Sequence, residues 1–241
     1  MTYEIVKYAN APKLEKITFL CDIPIRAKLK KVDVINKYFN KANTTCVVGR
    51  QGSGKTSILM NFVKIYKQFF GRIYVFMRES SRASLKDNLF EKHIPPERLF
   101  EDLTLEDINQ VYRELKENTS RGIFSWIIYD DVQDELKNAE IVKVLNKIVA
   151  NQRHLKCVSF FIMQNFYALS DKIRKLTNNL FLFDLDKKQM EQIFENYIKI
   201  DKKIFNDICD DNFKEEHDWM LINITNQKFF NNDFDELKMI A

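Results

Sequence analysis

"GRQGSGKT", residues 49–56, places three of the chain's five glycines within six positions. The stretch fits GxxxxGK[ST], with Gly49 opening the loop, Gly54 beside Lys55, and Thr56 closing it. Just before it, "TTCVV" (44–48) reads as a buried strand. After it, Leu59, Phe62, Val63, Tyr66 and Phe70 recur at helical spacing. Strand, glycine loop and helix in that order give the motif physical meaning. Glycines let successive backbone N–H groups turn toward one anion, and the helix N-terminus adds partial positive charge. Gly49, Arg50, Gln51, Gly52, Ser53, Gly54, Lys55, Thr56 and Ser57 are therefore expected to cradle the phosphates of ATP. Lys55 would reach the β- and γ-phosphates, and the Thr56 hydroxyl would bind Mg²⁺.

The rest of the 241-residue chain bounds this reading. Its length suits one large α/β domain with decorations, and 45% hydrophobic residues supply a sizeable core. No apolar run approaches the roughly 18 residues of a membrane span, and "MTYEIVKYAN" lacks a signal-peptide layout, so a soluble intracellular protein is expected. Cys21, Cys46, Cys157 and Cys209 lie far apart without CxxC spacing, which argues for small core residues over a metal or disulfide framework. A net charge of +4 permits nucleic-acid contact without demanding it.

Residues 1–43 read as an N-terminal extension with a strand-like "KITFLCDIPI" (16–25) and a helix from near Val32. Residues 44–241 read as the ATPase domain. Further strands are expected at "RIYVFMR" (72–78), "IFSWIIYDD" (123–131), "CVSFFIM" (157–163), "LFLFDL" (180–185) and "DWMLINIT" (218–225), with a polar tail after the last. Helices are expected over Leu105 to Asn118 and through Ile141, Val144, Leu145 and Ile148, while Pro95 and Pro96 break the chain between elements. Continuous apolar strands alternating with helices predict a three-layer α/β sandwich around a mainly parallel sheet, of the RecA-like, strand-inserted P-loop type.

The acidic strand end carries the second piece of chemistry. A carboxylate at the C-terminal end of a strand beside a phosphate loop can hold Mg²⁺, the role expected of Asp130, while Asp131 would orient or deprotonate the attacking water. The competing reading has the two acids capping the next helix. Gln164 ends the following strand, where an amide can accept from that water and donate to the γ-phosphate; the alternative is a solvated strand-end residue. "NKIV" (146–149) lacks the aspartate of a GTPase base-reading motif, and no helix-turn-helix or zinc-finger spacing occurs.

The run "NQRHLKCVSFFIMQNFYALSDKIRKLTNNLFLF" (151–183) resembles the segment after the acidic strand in viral genome-packaging ATPases of the FtsK/HerA superfamily, poxvirus-type branch. Those proteins pair a GxxGSGKT-like loop with Asp-Asp, Arg-His, a strand ending in Gln, and Ile-Arg. Here these are Gly49 to Thr56, Asp130 and Asp131, Arg153 and His154, Gln164, and Ile173 with Arg174. The resemblance covers residues 44–185 and implies an ATP-driven motor that moves double-stranded DNA into a viral capsid as a homo-oligomeric ring, working in the cytoplasm of the host cell. It also implies an arginine that completes the neighbouring subunit's site, with Arg153 and Arg174 as the two choices. In one respect the chain departs from many strand-borne ATPases, which carry glutamate at the position of Asp131. Arg82 and Lys86 in "SSRASLK" are placed either in a DNA-facing pore loop or in a solvated one. A helicase or recombinase-like ATPase and an ATP-binding assembly timer are the competing functions.

Overall fold

The computed structural model describes residues 2–6, 39, 42–85 and 88–240. The strand-like 16–25, the helix near Val32, Cys21 and Lys86 lie outside them. The described strands form one ten-stranded sheet. In chain order they are β1 (Thr2–Val6), β2 (Thr44–Val48), β3 (Arg72–Phe76), β4 (Leu99–Phe100), β5 (Ser125–Asp130), β6 (Cys157–Met163), β7 (Asn179–Phe183), β8 (Trp219–Asn223), β9 (Lys228–Phe230) and β10 (Glu236–Ile240). The helices are α1 (Lys55–Tyr66), α2 (Glu79–Ala83), α3 (Leu89–His93), α4 (Leu105–Ser120), α5 (Ala139–Ala150), α6 (Asp171–Lys175), α7 (Lys187–Tyr197) and α8 (Lys202–Asn212).

Across the sheet the order is β1-β10-β9-β8-β7-β2-β6-β5-β3-β4. From β7 to β4 every pairing is parallel. From β7 to β1 every pairing is antiparallel. The glycine-loop strand β2 sits between β7 and β6, and β6 separates it from the acidic strand β5. This is the strand-inserted arrangement, and it brings the C-terminal ends of β2, β6 and β5 to one edge, where α/β sheets bind ligands.

Alternation along each strand divides the core in two. Cys46 and Val48 face a core with Val111 and Leu115 of α4, Leu145 and Ile148 of α5, and Ile208 of α8. Val47 faces the other, with Leu59, Phe62 and Val63 of α1 and Phe90 of α3. There Phe62 meets Phe160 and Phe181 edge-on at 5.4 and 5.5 Å, a favoured aromatic geometry.

Most of the longer helices begin on a capping side chain. Thr104 accepts from Asp107 N, Asn138 from Glu140 and Ile141 N, Asp186 from Gln189 N, and Asp201 from Lys203 and Ile204 N. Helix α1 begins on Gly54 without one, which leaves its first N–H groups to a ligand.

The chain corrects the sequence reading in three places. Helix α1 stops at Tyr66, and residues 67–69 tighten into a 3₁₀ turn, so Phe70 joins the core from beyond the helix. The two-residue strand β4 is too short to leave a periodic signal. The expected polar tail instead supplies β9 and β10, with Phe229, Phe230 and Phe234 buried. At the far edge, residues 2–6 of the expected extension pair with β10 in the same sheet.

Candidate active site

The loop after β2 is built by close approach. A Cβ on Gly49 would lie 2.4 Å from Ser53 Oγ and 2.8 Å from the Phe183 ring, so only glycine fits there. Gly54, at φ 103, turns the chain into α1 in a conformation other residues rarely adopt. Gly49 N donates to Met163 O at 3.1 Å, tying the loop to the end of β6. Within it, Ser53 Oγ is buried with no hydrogen-bond partner. The Lys55 ammonium donates to Gly49 O at 2.8 Å and Arg50 O at 2.7 Å, spanning its own loop. Burial pulls its pKa down, while the carboxylates of Asp130 and Asp131 push it up.

On the β5 side, burial first and the Asp131 carboxylate second raise Asp130 from an ordinary 3.8 to about 7, with Lys55 pulling the other way. Because the folded state holds this proton more tightly than the unfolded chain, stability from this group is full below about pH 4 and falls as pH rises toward about 7. Asp130→Asn should therefore flatten the ligand-free protein's loss of thermal stability between about pH 4 and 7, measured by melting temperature. Equal slopes in both proteins would mean that Asp130 titrates normally.

Above about pH 7, two adjacent carboxylates facing one lysine leave an excess of negative charge that a divalent cation would relieve. Among the described residues, no group of three His, Cys, Asp or Glu side chains is placed to hold a metal ion. A Mg²⁺ ion at a phosphate site takes most of its ligands from phosphate and water, so the Thr56 hydroxyl and Asp130 carboxylate are a fitting protein donor set.

Asp131 follows β5 with its N–H donating to Ile162 O at 3.1 Å and its backbone in the left-handed region at φ 54. It does not cap the next helix, which starts on Asn138. Its Oδ1 accepts from Gln164 Nε2 at 3.4 Å and from Gln133 Nε2 at 3.1 Å. The two strand-end residues singled out in the sequence thus meet, with the glycine loop one strand away. Gln133 was missed: its Oε1 also accepts from Asn165 N at 3.1 Å, bridging the β5 and β6 tips. Only its place two residues past the acids could have drawn notice.

The arginines separate. Arg153 lies exposed in the turn before β6, at the opposite end of the sheet from the loop. Arg174 is largely buried on α6, donating to Tyr197 Oη at 3.2 Å and to Leu169 O, and stacked on Tyr167 at 4.9 Å. Neither reaches its own chain's loop. Arg82 is buried, donating to Met77 O and to Phe100 O at 3.4 Å, so neither a pore-facing nor a solvated position describes it. Among the described residues, no helix is long and apolar enough to cross a membrane.

The strand order, glycine loop and opposed acid and amide tips define a P-loop ATPase fold. The chain belongs to the poxvirus A32 protein family, whose model matches residues 26–234. No curated protein sequence matches it significantly. Among solved structures, the chain is similar to B204, the DNA-packaging ATPase of Sulfolobus turreted icosahedral virus, at 12% identity and TM-score 0.61, over 83% of this chain and 98% of that one. The genome-packaging NTPase B204 of Sulfolobus turreted icosahedral virus 2, in complex with AMPPCP, gives 12% identity and 0.60, over 84% and 100%. EccC of Thermomonospora curvata gives 13% and 0.53, over 85% of this chain and 38% of that one.

Proposed function

We propose that this protein hydrolyses ATP to drive double-stranded DNA into a viral capsid, working as a ring of identical subunits. The observation that carries the reading is the meeting of Asp131 and Gln164 beside the phosphate loop, in a chain whose family and fold are those of packaging ATPases.

The backbone N–H groups of residues 49–57 and the start of α1 hold the phosphate oxygens, and Lys55 leaves its loop carbonyls for the β- and γ-phosphates. Thr56 and Asp130 would hold Mg²⁺, which would supply positive charge to the transferring phosphoryl group. Asp131 accepts a proton from the attacking water as the bond to the β–γ bridging oxygen breaks. Gln164 orients that water and senses the γ-phosphate, while Gln133 holds Asp131 and the β6 tip in register. Arg153 suits insertion into a neighbouring subunit's site, because it is exposed and far from its own loop; Arg174 is held by its own chain.

Steady-state ATP hydrolysis with and without long double-stranded DNA, across a salt series, tests the motor. Turnover should rise several-fold with DNA and lose that stimulation between about 50 and 200 mM salt, because backbone contacts release counterions. Turnover indifferent to DNA at every salt concentration would favour an assembly timer, and duplex unwinding a helicase.

The ring is tested by mixing. Arg153→Ala and Lys55→Ala should each be nearly inactive alone, while a mixture regains part of the activity, since the second supplies Arg153 to the first. A mixture no more active than its components would remove Arg153 from the neighbour's site.

A further inference from the structure

A cleft of about 370 Å³ lies between Arg50 to Ser53 of the glycine loop and residues 213–218, the connection from α8 to β8, with Phe183 between them. The family resemblance read from the sequence stops at residue 185, short of this far wall. Its position relative to the acids suggests a role. Asp130, Asp131 and Gln164 stand on the β6 and β5 side of β2, so the γ-phosphate end of a bound nucleotide points that way. The nucleoside end must then leave on the β7 and β8 side, where this cleft opens.

The far wall is shaped by its own hydrogen bonds. Asp218 Oδ2 accepts from Lys214 N at 3.1 Å and Glu215 N at 2.8 Å, and its Oδ1 accepts from Asn232 Nδ2 at 2.7 Å. These bonds fold the segment over, and His217 is held at φ 84, an uncommon conformation for a side-chain-bearing residue. The His217 Cβ comes within 3.8 Å of where a Cβ on Gly54 would stand, so the wall abuts the turn into α1. Phe213 and His217 bring ring surface to the cleft, and Glu215 and Glu216 bring carboxylates that can accept from hydroxyls. Ring faces with hydroxyl acceptors, beside a phosphate loop, match a nucleoside. A cleft of this volume suits a ligand of that size.

We propose that residues 213–218 form the nucleoside wall of the site, with Phe213 and His217 against the base and Glu215 and Glu216 on the ribose hydroxyls. The proposal rests on the phosphate-loop reading above, and its test separates the two.

Calorimetric binding of ATP and of inorganic tripolyphosphate, both with Mg²⁺, is compared on wild type, His217→Gly, Glu215→Gln/Glu216→Gln and Lys55→Ala. Glycine is at ease at φ 84, so His217→Gly removes the ring and keeps the turn. His217→Gly should weaken ATP about tenfold and leave tripolyphosphate unchanged, as loss of a ring against the base requires, and the double glutamine variant, which exchanges charge-assisted acceptors for neutral ones, should lower the affinity for ATP relative to that for tripolyphosphate. Lys55→Ala should lose both ligands. If ATP affinity is unchanged in the wall variants, or falls together with that of tripolyphosphate, the nucleoside wall is wrong while the phosphate loop stands. If wild type binds neither ligand, the loop reading fails and the wall with it.

Discussion

Lys55→Ala is expected to remove nucleotide binding or turnover by at least about 100-fold, the scale on which single preorganised charge contacts act in water-poor sites. The side chain is half-buried, lies between the loop and the acid pair, and spans two loop carbonyls. Alanine cannot replace a cation there, yet it suits the first position of α1, so the fold should survive. The check is ATP binding by calorimetry and turnover by phosphate release, with circular dichroism to confirm an intact fold. Binding and turnover within a few-fold of wild type would mean that the loop does not hold the triphosphate through Lys55.

Asp131→Asn should bind ATP within about threefold of wild type while turnover drops by about 10²–10⁴, the range for loss of a general base. The substitution is clean because of backbone geometry. Asp131 stands at φ 54, and asparagine is among the few side-chain-bearing residues that tolerate that region. Its amide oxygen can still accept from Gln133 and Gln164, so the tip of β5 keeps its contacts. What disappears is the carboxylate's ability to take a proton. Single-turnover kinetics with bound nucleotide separate this loss from a binding defect. Full turnover in the variant would assign the proton to another group.

Residue order along the chain specifies the local parts. The phosphate loop is a property of eight adjacent residues, and its flanking strand and helix are legible because a buried parallel strand is a continuous apolar run and α1 repeats at helical spacing. Asp130, Asp131 and Gln164 were legible for the same reason, since each ends such a run. Tertiary structure decided how these parts meet. The insertion of β6 between β2 and β5 is expected from the P-loop type, but that Gln164 at the tip of β6 then touches Asp131 beyond β5 is a side-chain meeting that no local pattern encodes.

It also decided the fate of residues whose type looks the same in any environment. Arg174 is held by Tyr197, Leu169 and Tyr167 while Arg153 is exposed, and Arg82 is buried on backbone carbonyls, yet the sequence offers Arg153 and Arg174 as equal choices and Arg82 as a loop cation. Gln133 reaches across 32 positions to Asn165, and residues 213–218 close on a loop more than 150 positions earlier. Periodicity records which face of an element is apolar. It carries no record of which distant segment will supply the partner for a polar side chain, and that pairing is set only when the sheet assembles.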